Sequence, residues 1–446
     1  MIQLCLYWGG GEVKYGNLRY VSKRPNLQAI ELTTATYNVA HDVVFSCKFT
    51  HRLRFTADVF AAGNDTLSEI LSADSGNCPN VAVFVDSNVA RSRVDFSDRI
   101  GNYFRKHLPE KSPKVRIIPG GEQIKNTQPY FKRILNDLEQ SRLCRKSFVI
   151  AVGGGAVLDA VGFAASITHR GLRLIRVATT TLSQADSAMA VKNGINAFGK
   201  KNYMGVFAAP WAIINDEATL ETLTTDQWLA GFSEAVKVAL LKDPLLFEYI
   251  DRNCEAVRSR NLDTAIPIIR RSGRLHFDHI TQNGDPFERQ DARPLDFGHW
   301  SAHKLEQISG FELSHGQAVA IGIAIDATYA NFMGWLCDAD HQRILECLNR
   351  MGFKLYHRAM KQAKTLLGGL DEFQEHLGGK LTIPSISRIG ETFDIFEIDT
   401  NQMLAAISYL KRFNEWGRND DKTDSLHTDL PGGRRSLFSG ASRQAD

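Results

Sequence analysis

The sequence predicts an α/β protein in which a doubly wound parallel sheet is followed by an all-helical domain. Its 446 residues exceed one domain of ordinary size, and 43% apolar with 23% charged residues is typical of a globular protein with a full core. Short apolar runs alternate with helically spaced segments in the first half, which indicates parallel strands joined by crossover helices. After about Asn215 the spacing is mostly helical.

The elements of the first half follow one another from residue 43. Residues 43–60 alternate in strand fashion, which predicts a β-hairpin. Apolar runs predict buried strands at residues 81–86, 114–122, 147–155 and 172–181, and residues 130–140 have helical spacing. A further helix should begin near Ala156. Ligands of such a sheet bind at the carboxyl ends of its strands.

The second half predicts a helical bundle, with helical spacing at residues 224–241, 244–260, 298–310, 315–336 and 338–352. We therefore predict four regions. They are a poorly defined N-terminal extension at 1–34, an α/β domain at 35–215, a helical domain at 216–424, and a polar tail at 425–446 that is rich in Gly and Ser and expected to be disordered.

The composition argues against several kinds of partner. Lys and Arg number 53 against 50 Asp and Glu, and a net charge of +3 is too balanced to favour nucleic acid or an anionic membrane. The seven cysteines are scattered without a CxxC pair, which indicates reduced thiols. No apolar run approaches the roughly 20 residues of a membrane span, and the first residues lack the basic start of a signal peptide. We therefore expect a cytoplasmic protein.

Three consecutive glycines, at residues 153–155, stand between a predicted buried strand and a helix. Glycine lets main-chain amides approach a pyrophosphate, and a helix N-terminus favours its negative charge. A tight strand–helix turn without a ligand explains the glycines alone equally well. Asp86, Glu122 and Lys125 stand at two other strand ends, and Asp86 is placed to bind a ribose. Signals at three successive strand ends favour a nucleotide.

Residues 179–210 are dense in Thr, Ser, Asn and Lys, which suits a polyanionic or polyhydroxyl ligand. Lys192, Lys201 and Asn202 would offer charge and hydrogen-bond donors to a phosphate. The alternative is a solvated basic loop. The interleaved apolar residues argue against it, because they indicate a packed segment.

Glu234, His299 and His315 form a candidate set of metal ligands. Catalytic zinc takes three protein ligands and keeps one position open, and two His with one Glu is a standard set. Glu234 lies within a predicted helix, whereas His299 and His315 each begin one. His303 follows His299 by one turn on the same face. Each residue alone is more often an ordinary surface or structural residue, so the set depends on the resemblance that follows.

Several motifs, in order, resemble those of the sugar phosphate cyclases, the superfamily of 3-dehydroquinate synthase and the 2-epi-5-epi-valiolone synthases. They run from about Val81 to about Asp399 and include DSNV, PGGEQIKN, GGGAVLD, HRG, TTTLSQADS, KNGIN, KKN, SEAVK, DFGHWSAHKLE and HGQAVAIG. The resemblance implies a Rossmann-like NAD domain, a helical metal-binding domain, one zinc or cobalt ion, and a homodimer.

The resemblance also implies a role for each matched residue. The metal ligands would be Glu234, His299 and His315. The NAD contacts would be Asp86, Asn88, Glu122, Lys125, Gly154, Gly155, Asp159, Thr179 and Thr180. The substrate pocket would hold Asp186, Lys192, Lys201, Asn202, Lys237, Asp296 and His303, of which Asp186, Lys192, Lys237 and His303 would take part in catalysis. Arg170 would reach the phosphate in the neighbouring subunit's site.

Three positions depart from dehydroquinate synthase, which has Asn in place of Asp296 and cations in place of Asp278 and Ala292. Those cations help to hold the substrate's carboxylate. Without them the carboxylate would stay unpaired in a site of low dielectric, which costs several kcal/mol. The alignment contains a length change before His299. The residues that could compensate are therefore His276, His279 and Arg293.

Residues 372–399 resemble the C-terminal segment of the valiolone synthases, whose seven-carbon substrate has no carboxylate. His303, however, is retained as in dehydroquinate synthase and unlike in the valiolone synthases. The chain looks most like an uncharacterised dehydroquinate-synthase-like group encoded in some bacterial operons for exported natural products.

The predicted function is a cyclase that converts a ketose phosphate of about seven carbons, such as sedoheptulose 7-phosphate, to a carbocycle. The resemblance implies transient oxidation by NAD, β-elimination of phosphate, reduction and an intramolecular aldol step, with His303 as the candidate proton shuttle. The alternatives are 3-dehydroquinate synthase proper, acting on 3-deoxy-arabino-heptulosonate 7-phosphate, a metal-dependent polyol or glycerol-phosphate dehydrogenase, and a non-catalytic relative retained for assembly.

Overall fold

The computed structural model describes residues 42–416, apart from 74–79, 94, 110–112, 127, 199, 283–284, 288–293 and 377–378. The predicted extension at 1–34 and the predicted tail at 425–446 lie outside the described residues, as do Ala292 and Arg293. Residues 42–48 form no helix or strand and belong to a different compact unit from the residues that follow. All the elements below lie in that second unit.

A parallel sheet forms the centre of the first half, as predicted. The strands of the described residues are β1 (Leu53–Thr56), β2 (Val81–Asp86), β3 (Val115–Ile118), β4 (Phe148–Gly153), β5 (Arg173–Ala178), β6 (Lys192–Ala197), β7 (Lys200–Phe207), β8 (Ala212–Asp216), β9 (Ile383–Arg388) and β10 (Glu391–Ile395). Six of them form the sheet, in the order β1-β8-β5-β4-β2-β3, and all its neighbours are parallel.

The strand order reverses between β2 and β4, because the chain continues from β2 to one side and from β4 to the other. A ligand of an open α/β sheet binds at such a point, beyond the carboxyl ends of the strands. Every residue of β2 and β4 is buried, which explains why both are continuous apolar runs in the sequence.

The predicted hairpin at residues 43–60 is wrong. Residues 42–52 form no strand, and β1 pairs in parallel with β8 at the edge of the sheet. The alternation of side chains correctly indicated a half-buried strand. It could not indicate the partner, which lies about 160 residues away at Ile213–Asp216 and is chosen by tertiary packing.

Two antiparallel ribbons were not predicted. Strands β6 and β7 pair from Lys192 with Phe207 to Ala197 with Lys200, within the stretch that we described only as packed and polar. Strands β9 and β10 form a hairpin inside the half that we predicted to be all-helical. The helical character of that half is otherwise confirmed.

The helices of the described residues are α1 (Thr66–Ser72), α2 (Ser87–Ser92), α3 (Phe96–His107), α4 (Gln123–Asn126), α5 (Gln128–Gln140), α6 (Gly155–Ile167), α7 (Thr225–Lys242), α8 (Pro244–Arg252), α9 (Cys254–Arg258), α10 (Leu262–Gln282), α11 (His299–Ile308), α12 (His315–Phe332), α13 (Asp338–Met351), α14 (Ala363–His376) and α15 (Thr400–Trp416). Thr224 caps α7 with a capping box, and Pro244 occupies the first turn of α8. Within the described part of the chain, no helix combines the length and the apolar character needed to cross a bilayer.

The helical half packs directly on the segment that follows β5. A side chain on Gly231 of α7 would lie 2.5 Å from the Leu182 nitrogen, and one on Gly273 of α10 would lie 2.5 Å from the Gln184 oxygen. Both helices therefore approach the π-helical turn Ser183–Ser187 as closely as their backbones allow. This contact brings the carboxyl ends of the strands next to α7 and α10.

Candidate metal centre and dinucleotide site

Three helices meet at glycines near the predicted metal ligands. Where α12 meets α7, a side chain on Gly316 would lie 2.7 Å from the Ala230 carbonyl carbon. Helix α11 begins after Gly298, which has a φ of +77° and lies against the main chain of α12. Such close approaches exclude any side chain. They bring to one point the three predicted ligands, Glu234, His299 and His315.

The three side chains have the spacing of a tetrahedral metal site. Glu234 Oε1 lies 3.5 Å from His299 Nε2 and 3.4 Å from His315 Nε2, and one ligand atom from each residue lies within 4.8 Å of the others. Ligands at the usual zinc distances of about 2.0–2.1 Å in a tetrahedron are about 3.3–3.4 Å apart. The donor set therefore fits one divalent ion.

Glu234 is fully buried, and neither carboxylate oxygen accepts a well-aligned hydrogen bond from any residue that the structure describes. Lys237 Nζ lies 2.5 Å from its Oε2. Burial alone would raise the pKa of Glu234, but Lys237 and His299 outweigh it and hold the pKa well below its usual value. The carboxyl is therefore ionised, as a metal ligand must be.

His315 is held by Glu306, a residue that the sequence analysis missed. Its Nδ1 lies 2.5 Å from Glu306 Oε1, while Lys201 Nζ lies 2.6 Å from Glu306 Oε2. Burial alone would lower the pKa of His315, but Glu306 and Glu234 outweigh it and raise the pKa to about 9. The signal was present in the sequence, because His299, His303 and Glu306 follow one another at positions i, i+4 and i+7 of one helix face.

His303 joins the same cluster. Its ring centroid lies 5.4 Å from that of His299 and 5.9 Å from that of His315. The ring lies deep among the surrounding residues but remains open to solvent. Its desolvation there, followed by the two neighbouring imidazoles, lowers the pKa of His303 well below its usual value. A neutral imidazole in this position can accept a proton.

Asp186 lies on the π-helical turn, and its Oδ1 is 2.8 Å from Nδ1 of His276 on α10. Burial raises the pKa of Asp186, yet His276 and Lys237 outweigh it and lower the pKa overall. Burial and the nearby cation Lys242 lower the pKa of His279 to about 4. Asp278 does not join this group, because both its oxygens accept hydrogen bonds from the exposed side chain of Arg274.

The predicted NAD residues lie at the point where the strand order reverses. Asp86 ends β2 and accepts a hydrogen bond of 2.7 Å from the Asn88 amide at the start of α2. A side chain on Gly120 would lie 2.5 Å from the Asp86 carboxyl carbon. Lys125 Nζ lies 2.8 Å from Asp159 Oδ2 on α6. Residues from the end of β2, from the loop and short helix after β3, and from α6 thus lie close together at this edge of the sheet.

The glycine turn also has a packing role. A side chain on Gly155 would lie 2.7 Å from Ser187 Oγ, and one on Gly154 would lie 3.1 Å from Thr180 Cγ2. A tight strand–helix turn and a nucleotide site are therefore compatible here. Thr179 Oγ1 is buried and has no hydrogen-bond partner among the described residues, which leaves a polar atom for a ligand.

The remaining predicted residues lie on the β6–β7 ribbon and in two turns. The Asn202 amide donates to Asn196 Oδ1 at 2.8 Å, and Asn196 Nδ2 donates to Glu122 Oε1 at 3.0 Å, which joins the ribbon to the loop after β3. Lys192 begins β6. Asp296 ends the short turn before α11. Burial lowers the pKa of Lys237, but Glu234 and Asp186, followed by Asp296, outweigh it and raise that pKa overall. Arg170 is exposed in the turn after α6.

A second group of possible ligands, Asp251, Cys254 and Cys347, also has its donor atoms within 4.8 Å of one another. Arg350 contradicts a metal there. Its guanidinium lies 2.7 Å from Asp251 Oδ1 and 3.3 Å from Cys254 Sγ, so a cation of the protein already neutralises the group.

Two family models and several known proteins match this chain. The family model for the N-terminal part of 3-dehydroquinate synthase matches residues 115–230, and the model for the C-terminal part matches residues 231–370. The 2-epi-5-epi-valiolone synthase of Streptomyces glaucescens is 32% identical over 81% of this chain and 92% of that protein. The 3-dehydroquinate synthase of Ruegeria pomeroyi is 34% identical over 65% of this chain and 79% of that protein.

A solved structure has the same fold. The 2-epi-5-epi-valiolone synthase from Streptomyces hygroscopicus subsp. jinggangensis, with NAD+ and Zn2+ bound, aligns with a TM-score of 0.76 and 23% identity over 84% of this chain and 100% of that one. The predicted resemblance and fold class are therefore confirmed. The chain belongs to the 3-dehydroquinate synthase-like family of sugar phosphate cyclases.

Proposed function

We propose that the protein is an NAD- and metal-dependent cyclase that converts a ketose phosphate of about seven carbons to a carbocycle with loss of phosphate. The observation that carries this proposal is the cluster of Glu234, His299 and His315. It combines the spacing of a tetrahedral ion site with an ionised, fully buried carboxylate. The relatives support the proposal, since they are named as synthases of this kind.

The proposed cofactors are NAD and one zinc or cobalt ion. We assign the ion to the three clustered ligands and NAD to the sheet edge formed by Asp86, Asn88, Glu122, Lys125, Gly154, Gly155, Asp159, Thr179 and Thr180. When bound, NAD would accept and return a hydride, and the ion would polarise a carbon–oxygen bond. The proposed division of labour is an NAD-binding domain at 35–215 and a metal-binding domain at 216–424.

The side chains around the cluster have separate proposed tasks. His303 would accept a proton at its imidazole and pass it on, because its lowered pKa keeps the ring neutral. Lys192, Lys201 and Asn202 would bind the phosphate, together with Arg170 from the other subunit of a homodimer. Lys237, Asp186 and Asp296 would orient the hydroxyl groups of the sugar.

The side chains of α10 near Asp186 favour a substrate without a carboxylate. Its residue nearest to Asp186 is His276, and the two side chains already pair with each other. Asp278 pairs with Arg274 and offers no cation. A carboxylate beside Asp186 would meet a like charge at low dielectric, which is unfavourable. We therefore propose sedoheptulose 7-phosphate, or a sugar phosphate like it, in preference to 3-deoxy-arabino-heptulosonate 7-phosphate.

The test is incubation of the zinc-loaded protein and NAD+ with each sugar phosphate, followed by phosphate release, NADH absorbance and product mass. We expect phosphate release from sedoheptulose 7-phosphate without net NADH. Glu234→Gln should abolish it, whereas Glu248→Gln, at a partly exposed position of α8 where the side chain pairs with Arg252 and Arg343, should not. Net NADH without phosphate would instead indicate a polyol dehydrogenase.

Preference for 3-deoxy-arabino-heptulosonate 7-phosphate would contradict the carboxylate argument and indicate dehydroquinate synthase. A non-catalytic relative would bind NAD but turn over neither sugar. Its properties would be the same in the wild-type protein and in the Glu234→Gln variant.

A further inference from the structure

Glu306 lies between a proposed metal ligand and the β6–β7 ribbon. Its side chain is only 3% exposed, and each carboxylate oxygen has its own partner. Oε1 lies 2.5 Å from His315 Nδ1, and Oε2 lies 2.6 Å from Lys201 Nζ. Its geometry is that of a carboxylate that orients a ligating histidine.

The contact with Oε1 decides which nitrogen of His315 faces the cluster. In the neutral imidazole that a metal ion requires, the nitrogen that donates to a carboxylate carries the single proton, so the other nitrogen keeps its lone pair free. Here the other nitrogen is Nε2, the atom that lies 3.4 Å from Glu234 Oε1. Glu306 therefore selects both the tautomer and the direction of the ring that a metal ion requires.

The contact with Oε2 joins two parts of the fold. Lys201 belongs to β7, whereas Glu306 belongs to α11. The ribbon otherwise packs against α6, where a side chain on Gly162 would lie 2.9 Å from the Asn193 side-chain carbon. By holding Oε2, Lys201 keeps the carboxylate plane in the orientation that presents Oε1 to His315.

We propose that Glu306 is a positioning residue for the metal ion, which orients His315 and is itself oriented by Lys201 on the ribbon. The inference deepens the proposed function and rests on its metal site. It implies that the strand carrying the proposed phosphate contacts and the metal ligands form one connected unit. Lys201 then affects metal affinity although it contacts no ligand of the ion.

The test measures zinc affinity by competition with a chromophoric chelator, without substrate or NAD. We expect Glu306→Gln to weaken zinc binding about 10- to 100-fold, the usual effect of losing such an orienting carboxylate. Lys201→Met should weaken it less. In the Glu306→Gln background Lys201→Met should have no further effect, because it acts only through Glu306. Glu312→Gln, at an exposed residue just before α12, is the matched control.

Unfolding of each metal-free variant shows whether it is folded, so a loss of affinity can be separated from misfolding. Wild-type affinity in a folded Glu306→Gln variant would overturn the positioning role. Equal effects of Lys201→Met in both backgrounds would overturn the link to the ribbon. If the wild-type protein itself binds no zinc, the proposed function fails instead, and the two failures are thereby distinguished.

Discussion

The buried ion pair between Lys237 and Glu234 gives a quantitative test of the electrostatics of the site. Lys237 Nζ lies 2.5 Å from Glu234 Oε2, and the two side chains are 2% and 0% exposed. At this separation and an effective dielectric constant of about 20, the attraction is about 7 kcal/mol before desolvation is subtracted. The perturbation is Lys237→Met, which removes the charge and nearly preserves the volume. It leaves the carboxylate buried without its cation.

We expect Lys237→Met to lower the free energy of unfolding of the metal-free protein by about 3 kcal/mol, the lower end for breaking a buried pair. The lower end applies because His299 and His315 approach Glu234 Oε1 at 3.5 and 3.4 Å and can share its charge when protonated. Adding Glu234→Gln should restore most of the loss, since the double variant buries no unpaired charge. The coupling energy should be about 2–3 kcal/mol.

The assay is urea unfolding of the four proteins of this cycle in the presence of a chelator. The pair of Arg388 and Glu391 provides the control, because it has the same i,i+3 spacing and a separation of 2.7 Å but side chains that are 72% and 54% exposed. Its coupling energy should not exceed about 0.5 kcal/mol. A coupling energy at Lys237 as small as that of the control would refute the argument that this lysine keeps the carboxylate ionised.

Three further perturbations follow from burial and close packing. Burial lowers the pKa of His341 from 6.5 to about 4, so the unfolded chain binds more protons than the folded one between these pH values. The free energy of unfolding should therefore fall by about 3 kcal/mol as the pH drops through this window. Urea unfolding of His341→Gln at several pH values should lack this fall. Gly231→Ala should lower the free energy of unfolding by about 1–3 kcal/mol, because the methyl group would lie 2.5 Å from main-chain atoms. Gly368→Ala is the control, since its methyl group would have no described atom within 4 Å, and thermal unfolding should show it to be neutral or stabilising. Lys125→Met should weaken NAD+ binding in calorimetry about tenfold or more, since it removes the partner of Asp159; unchanged affinity would exclude this edge as the NAD site.

The parallel sheet could be predicted because its strands are buried on both faces. Val81–Asp86 and Phe148–Gly153 are continuous apolar runs, a pattern that depends on local sequence alone. The strand Leu53–Thr56 has the alternation of a half-buried strand, and nothing local distinguishes a hairpin partner from a distant one. The ribbon strand Lys200–Phe207 was missed because most of its residues are exposed, including the apolar Tyr203, Met204 and Phe207, so its apolar residues do not alternate with polar ones between a buried and an exposed face.

The proposed metal ligands could be named from the sequence, but their positions in the fold could not. Glu234 and His315 are far apart in the chain, and they meet because Gly316 lets α12 approach α7 at Ala230. That approach depends on tertiary packing, and a glycine within a helix is not by itself a signal of it. Glu306 could have been predicted from the sequence, because its spacing from His299 places both residues on one face of α11.

Matching positions by their distance from the DFGH motif says less about the substrate. This match places Asp278 at a pocket cation of dehydroquinate synthase, yet Asp278 pairs with Arg274. His276, two residues earlier, contacts Asp186 instead. Two residues along a helix change the direction of a side chain by about 200°, so a small change in alignment exchanges the residue that lines a pocket for one that faces solvent.

The lysines around the predicted site are already paired with acids. The pairs are Lys125 with Asp159, Lys201 with Glu306 and Lys237 with Glu234, at 2.8, 2.6 and 2.5 Å. Each lysine is neutralised by its own carboxylate, so these pairs add little net positive charge for a phosphate. A divalent ion on one carboxylate and two neutral imidazoles would add positive charge to the site, beside Lys192 and Arg170, the other cations proposed to bind the phosphate. In the proposed site the pairs would therefore let the protein fold around buried ionisable groups without the ion, and the bound ion would strengthen the attraction for a phosphorylated sugar.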